Sequence, residues 1–198
     1  MLRILLVSGI FLLGFFAFSD WPVTHGPGKI APHAPTQTPP PEGVMFMHEN
    51  YLIQPLATFE AEARVLSRKR YYIDREADLA PFDLALGWGQ MSDEQILSSF
   101  KISQSSRWYW WRADPLPLAK QEVIRSSANM HMIPADDHVW RQIKRVRKGS
   151  LIRLKGYLIE ARGDDGWTWR SSLSREDSGN KACEVVYVQD FEVIESPS

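Results

Sequence analysis

An uninterrupted apolar run near the N-terminus most constrains what this chain can form. Residues 4–18 carry no charge and follow Arg3, the arrangement of a basic n-region and an apolar h-region. As a helix the run spans only about 22 Å, which is short of the roughly 30 Å hydrocarbon core of a bilayer. Length therefore favours a cleaved signal peptide, with Ala17 and Ser19 at the -3 and -1 positions. Bulky phenylalanines and the interfacial Trp21 favour an uncleaved anchor, which we expect.

The position of Arg3 predicts the topology. A basic residue before the apolar run keeps the N-terminus in the cytoplasm and places the rest of the chain on the other side. We therefore expect a single-pass inner-membrane protein whose domain lies in the periplasm. Secretion after signal cleavage is the alternative. Three regions follow from this interpretation: a signal anchor or signal peptide at 1–19, a proline-rich linker at 20–43 and a single extracytoplasmic globular domain at 44–198.

Composition narrows the classes of partner. Hydrophobic residues at 44% and charged residues at 24% are ordinary for a globular domain. The formal net charge of -1 offers no broad attraction to polyanions, so a nucleic acid partner is not expected. Cys183 is the one cysteine of the chain, so the domain cannot form an internal disulfide and must be stabilised by its core.

Alternation and capping signals predict the main elements of the domain. Apolar and polar residues alternate over 57–67, which indicates a half-buried strand. Asp136 is placed to cap a helix that Gly149 ends, with Trp140 and Ile143 facing the sheet. Further strands are predicted at 108–111, 151–161, 167–173 and 183–194, the last three as an antiparallel meander; helices are predicted from Ser92 and at 120–127, and an ordered loop at 78–89.

These elements predict the α+β class. Several strands with one or two helices favour a small curved antiparallel sheet or a partly closed barrel of the oligonucleotide/oligosaccharide-binding (OB) type. The N-terminal hydrophobic helix would precede this domain.

A basic patch is the first candidate binding surface. Arg141, Lys144 and Arg145 lie on the predicted helix, and Arg153 and Lys155 follow on the next strand. Such a patch suits anionic lipid or a negatively charged envelope protein. Its alternative is a solvated helix face without a ligand.

Paired tryptophans are the second candidate. In a strand, residues two apart share a face, so Trp108 pairs with Trp110 and Trp167 pairs with Trp169. Exposed aromatic pairs bind planar ligands, and the alternative is that these rings fill the core of a small barrel.

Catalytic signals are weaker. Cys183 and His131 are the candidates for a reactive residue, but no glycine-flanked nucleophile turn accompanies the serines. The run His131–His138 combines two histidines and two carboxylates without a known metal spacing, so we expect a hydrogen-bonded structural His131 and neither a metal nor a cofactor.

Three stretches, 84–89, 127–134 and 177–188, resemble an uncharacterised family of small bacterial exported or membrane-anchored proteins. The resemblance implies a bacterial envelope protein and assigns no activity, cofactor or catalytic residue. Together with the leader and the aromatic surplus, it predicts a membrane-tethered extracytoplasmic binding or assembly module without chemistry of its own. An extracytoplasmic enzyme that uses Cys183 or His131 is the alternative.

Overall fold

Strands make up most of the regular structure in the computed structural model, which describes residues 21–174 and 183–194. Within these ranges the strands are β1 Thr36–Thr38, β2 Phe46–His48, β3 Tyr51–Arg70, β4 Phe82–Gly87, β5 Lys101–Ser105, β6 Trp108–Arg112, β7 Ser127–Pro134, β8 Leu151–Arg162, β9 Thr168–Arg170 and β10 Glu184–Ile194. The helices are α1 Arg75–Leu79, α2 Glu94–Leu97, α3 Lys120–Arg125 and α4 Asp137–Arg145, with a short 3-10 turn at Gly89–Ser92.

Five strands pair in a ring. The order is β3, β4, β7, β10 and β8, and β8 pairs again with β3. All of these pairs are antiparallel except β7 with β10, which is parallel. The prediction of an α+β domain with a strongly curved sheet is confirmed. The predicted N-terminal hydrophobic helix lies outside the described residues, and no helix within them is long and apolar enough to cross a bilayer.

The strand predicted at 57–67 is the middle of the 20-residue β3. Its inward-facing apolar residues, Ala57, Phe59, Ala61 and Ala63, belong to the main core cluster inside the ring. A register shift between Val65 and Ser67 bends the strand. Because of this length and bend, β3 pairs with β8 along one part and with β4 along the other.

The expected loop at 78–89 is wrong over its second half, where β4 lies. All six residues of β4 are buried, so its sequence has no polar face to alternate with the apolar one. Phe82, Leu84 and Leu86 point into the ring, while Ala85 belongs to a third core cluster outside it. The neighbouring strand β7 is also largely buried and was not predicted.

The expected meander of the last three strands is wrong. Both β9 and β10 pair with β8: β9 with residues 160–162 and β10 with residues 151–158. The 12-residue β8 is long enough for both, so β9 does not separate β8 from β10. A register shift between Val188 and Asp190 also breaks the alternation of β10. Phe191 therefore points into the ring, whereas Val185 belongs to the second core cluster.

An insertion between β4 and β7 covers the outside of the ring. It contains α2, the hairpin of β5 and β6, and α3. Tyr109 and Trp111 of β6 pack with Phe100 and Val123 against Ala85 of β4. The strand predicted at 108–111 and the helix predicted at 120–127 are both confirmed here, as β6 and α3. The short helix begins after Asp93, whose carboxylate accepts from the Gln95 amide at 2.9 Å, and not after Ser92.

Helix α4 begins as predicted. The Asp136 carboxylate accepts a hydrogen bond from the Val139 amide at 2.9 Å. Ile143 is buried in the ring core, and Trp140 is half-buried against it, with its ring 5.0 Å from that of Phe82. The helix ends at Arg145 rather than near Gly149, because the Val146 backbone is already extended.

Truncation of Ile143 tests this packing. Ile143→Ala removes a side chain that is 1% exposed, so we expect a loss of about 2–5 kcal/mol in the free energy of unfolding, measured by urea denaturation. Arg141→Ala, on the exposed side of the same helix, is the control and should change stability by less than about 1 kcal/mol. Equal losses for the two variants would contradict the orientation of α4.

The proline-rich segment is not an extended spacer in its described part. Residues 21–38, which we call the strap, follow the surface of the domain. Ala31 is 1% exposed, its carbonyl accepts from the Gly89 amide at 2.8 Å, and β1 pairs with β3. Proline lacks an amide proton, so these contacts use the residues between the prolines.

Candidate functional site

A cleft of about 810 Å³ opens beside the outer face of β7. The ring strand β7, the start of β6 and the segment that follows β8 contribute its walls. The lining residues are Arg107, Trp108, His131, Glu160, Thr168, Trp169, Arg170, Ser171, Ser172, Leu173, Ser174 and Cys183. Four residues singled out by the sequence, Trp108, His131, Trp169 and Cys183, are therefore brought together.

A buried carboxylate organises the floor of the cleft. Asp83 of β4 is fully buried and lies opposite His131 in the strand register. Its Oδ1 is 2.8 Å from His131 Nδ1, and it accepts a hydrogen bond from the Arg107 guanidinium at 2.9 Å. The same guanidinium donates to Asp74 at 2.9 Å. The expected hydrogen bonding of His131 is present in this network.

A second ion-pair network forms one wall. Glu160 of β8 is 8% exposed and accepts hydrogen bonds from Arg170 and, at 2.6 Å, from Arg162. These two bonds hold the pKa of the Glu160 carboxyl below its usual range. The side chain is therefore ionised at neutral pH and acts as an acceptor. Among the residues that the structure describes, the two arginines that line the cleft, Arg107 and Arg170, are paired with carboxylates.

The predicted tryptophan pairs form, and each has a different environment. The rings of Trp167 and Trp169 are 6.1 Å apart, and that of Trp169 lies 4.9 Å from the His131 ring. The rings of Trp108 and Trp110 are 6.3 Å apart, and Trp110 is 57% exposed. Trp108 and Trp169 thus line the cleft, Trp110 faces solvent, and Trp167 packs with the second core cluster.

An exposed clasp connects the loop between β3 and β4 with the loop after β8. The guanidinium of Arg75 binds both carboxylate oxygens of Asp165, one of them at 2.9 Å. It also lies 4.5 Å from the centre of the Trp167 ring. The hydrogen bond from Arg75 lowers the pKa of Asp165 to about 2. The clasp holds the loop that leads into β9, the strand that carries Trp169 and Arg170.

Cys183 is held by non-ionising partners. Its sulfur donates to the Arg107 carbonyl at 3.8 Å and accepts from the Asn129 amide at 4.0 Å. Burial raises the pKa of the thiol to about 11. The hydrogen bonds of His131 go to Asp83 instead, so the two candidate reactive residues share a cleft without forming a nucleophile and base pair.

The basic patch lies elsewhere on the molecule. Arg141, Lys144 and Arg145 are exposed on α4 and do not line the cleft. Arg153, expected to extend the patch, is paired with Glu62 and Glu192, and Lys155 is paired with Glu60. The unneutralised part of the patch is therefore confined to α4 and the residues just after it.

Sequence reasoning missed Asp83, Arg107, Glu160 and Arg170. One signal for Asp83 was present: a single carboxylate within the apolar run 82–86 indicates a buried and paired charge. The other three had no distinguishing local pattern.

Within residues 21–174 and 183–194, no group of three or more histidine, cysteine or acidic side chains is placed to hold a metal ion. No protein-family model, curated protein or solved structure matches this chain. The candidate site therefore stands on its own geometry.

Proposed function

We propose that this protein is a membrane-tethered extracytoplasmic binding module of the bacterial envelope, built on an OB-type barrel, and that its cleft binds a polar oligosaccharide. The leader and the resemblance to exported proteins support the location. The cleft supports the ligand class.

Strand order supports the OB type. Numbered along the chain as first to fifth, the ring strands β3, β4, β7, β8 and β10 pair in the order first, second, third, fifth, fourth. Helix α4 lies between the third and the fourth. In OB barrels the face of the second and third strands, with the loops after the first and fourth, binds oligonucleotides and oligosaccharides. The cleft lies against the third strand and the loop after the fourth.

The charge balance of the cleft favours an oligosaccharide over an oligonucleotide, and it is the observation that carries the proposal. A site for the nucleic acid backbone needs cations that are available to phosphate. Arg107 and Arg170 are instead committed to Asp83 and Glu160. The described lining of the cleft offers indole rings, serine hydroxyls and paired charges. These groups suit the apolar faces and hydroxyls of a sugar.

Tryptophan substitution tests the site. The full chain would be titrated with a soluble tetrasaccharide of the peptidoglycan glycan strand, with calorimetry as the readout. For Trp108→Ala and Trp169→Ala we expect a loss of about 2 kcal/mol, roughly thirtyfold in Kd, because each removes a ring from the cleft. Trp110→Ala removes an exposed ring outside it and should bind like the parent.

Two outcomes would contradict the proposal. Tighter binding of a single-stranded thymidine oligonucleotide than of the tetrasaccharide would reassign the ligand class. Undiminished tetrasaccharide binding by both cleft variants, each shown to be folded by its thermal unfolding, would remove the cleft as the site.

A further inference from the structure

A basic surface adjoins the first described residues of the chain. It consists of Arg141, Lys144 and Arg145 on α4 and of Arg147 and Lys148 just after it; we call it the α4-end surface. The Val23 amide donates to the Lys148 carbonyl at 2.8 Å, and the Arg147 guanidinium donates to the Trp21 carbonyl at 3.5 Å. Trp21 itself is 61% exposed beside these cations.

Gly149 allows the strap to pack closely against the chain that follows α4. Its φ of +87° is one that residues with a side chain rarely adopt, and a Cβ there would lie 1.8 Å from the Val23 carbonyl oxygen. The ring nitrogen Nε2 of His25 is 2.7 Å from the Gly149 carbonyl oxygen. The beginning of the strap is thus fixed against the end of α4 by backbone contacts that only glycine allows.

Chain length then limits how far this surface can be from the bilayer. The apolar run ends at Phe18, three residues before Trp21. Three residues span at most about 11 Å when fully extended. That distance is close to the Debye length of roughly 8–10 Å at physiological salt, so charges at this separation still interact. Because the strap is packed on the domain, it keeps the α4-end surface turned toward the membrane. A free spacer would let the domain rotate.

We propose that the α4-end surface docks on anionic lipid headgroups of the membrane that holds the N-terminal anchor. This inference rests on the uncleaved anchor of the proposed function and goes beyond it by assigning a surface and a lipid class. Guanidinium and ammonium groups bind headgroup phosphates, and an exposed tryptophan beside them partitions into the interface. The cleft, on other elements of the domain, takes no part in this contact.

Charge reversal in a reconstituted full chain tests the docking. A nitroxide is attached to Gln142→Cys in a Cys183→Ser background, and its accessibility to a water-soluble relaxant is measured by spin resonance. In vesicles of mixed phosphatidylcholine and phosphatidylglycerol we expect the nitroxide to be shielded from the relaxant. The shielding should be lost at high salt and in vesicles of pure phosphatidylcholine. It should also be lost in the triple variant R141E/K144E/R145E. The control K101E/R112E/K120E makes the same charge change at other exposed residues and should keep the shielding.

The strap provides an independent variant. Gly149→Ala should lose the shielding with all five cations in place, because the Cβ displaces Val23. Gly166→Ala is the matched control, because Gly166 has a similar φ of +86° but nothing lies within 4 Å of its Cβ position. This variant should keep the shielding of the parent. A nitroxide that is equally accessible in both lipid mixtures, or shielding that survives both Gly149→Ala and the triple reversal, overturns the proposal. Extraction of the protein from vesicles by high salt would instead refute the anchor, and so the proposed function.

Discussion

Asp83→Asn should lower the free energy of unfolding by about 3–5 kcal/mol, because it removes the charge from a buried pair and leaves the Arg107 guanidinium with the more exposed Asp74 as its remaining carboxylate partner. Asp83 is fully buried and bonds both the Arg107 guanidinium and His131. A domain of this size has only about 5–15 kcal/mol of stability, so the loss is a large part of the total. Urea denaturation of the purified variant gives the measurement.

Two controls make this result specific. Asp165→Asn removes a carboxylate that is also paired with an arginine, but the pair is solvent-exposed, so the effect should be much smaller. The double variant R107M/D83N should lose less unfolding free energy than the sum of the two single variants. In each single variant one member of the pair keeps its charge without the other, and in the double variant both charges are removed. Additive losses would show that Asp83 and Arg107 do not stabilise the fold as a pair.

Local patterns in the sequence predicted the elements that have one polar face. Alternation located the centre of β3, and the carboxylate of Asp136 located the start of α4. Both signals depend on residues within a few positions of one another. Strand β4 was not predicted because both of its faces are buried, one by the ring core and the other by the insertion. A strand without a polar face has no clear period-two pattern. In β7 the polar Ser127, Asn129 and His131 do alternate with apolar residues, and this signal was missed.

The candidate site was predicted only in its aromatic and reactive residues. Residue type alone was enough to single out four of the lining residues: Trp108, Trp169, His131 and Cys183. The hydrogen bonds that fix the cleft join Asp83 to residues 24 and 48 positions away, and their approach depends on the pairing of β4 with β7 and on the fold of the insertion. No local pattern encodes such distances. The parallel pairing of β7 with β10 is equally non-local, which is why a meander was expected.

Cys183 should resist alkylation by iodoacetamide at pH 8. The thiolate is the reactive form, and burial raises the pKa of this thiol from 9.0 to about 11. The thiolate fraction at pH 8 is then lower than that of an ordinary thiol by 10^(11−9), or about 100-fold. The alkylation rate of the native protein should rise steadily between pH 8 and about 11, and mass spectrometry of quenched samples measures it.

The same shift predicts how Cys183 affects stability. In the unfolded chain the thiol loses its proton near pH 9, whereas in the folded protein it keeps the proton up to about pH 11. The stabilising contribution is therefore complete below pH 9 and is lost as the pH rises from 9 to about 11. Cys183→Ser removes the titrating group, so its stability should fall less than that of the parent over this interval.

An exposed thiol supplies the control for reactivity. Ser105→Cys in a Cys183→Ser background places the reactive group on the exposed end of β5, where its rate should level off above about pH 9. Native Cys183 that reacted as fast as this exposed thiol at pH 8 would contradict the half-buried, neutral state. It would then favour the alternative function, an enzyme with a cysteine nucleophile. Slow alkylation with the expected pH dependence leaves Cys183 as a packing residue at the edge of the cleft.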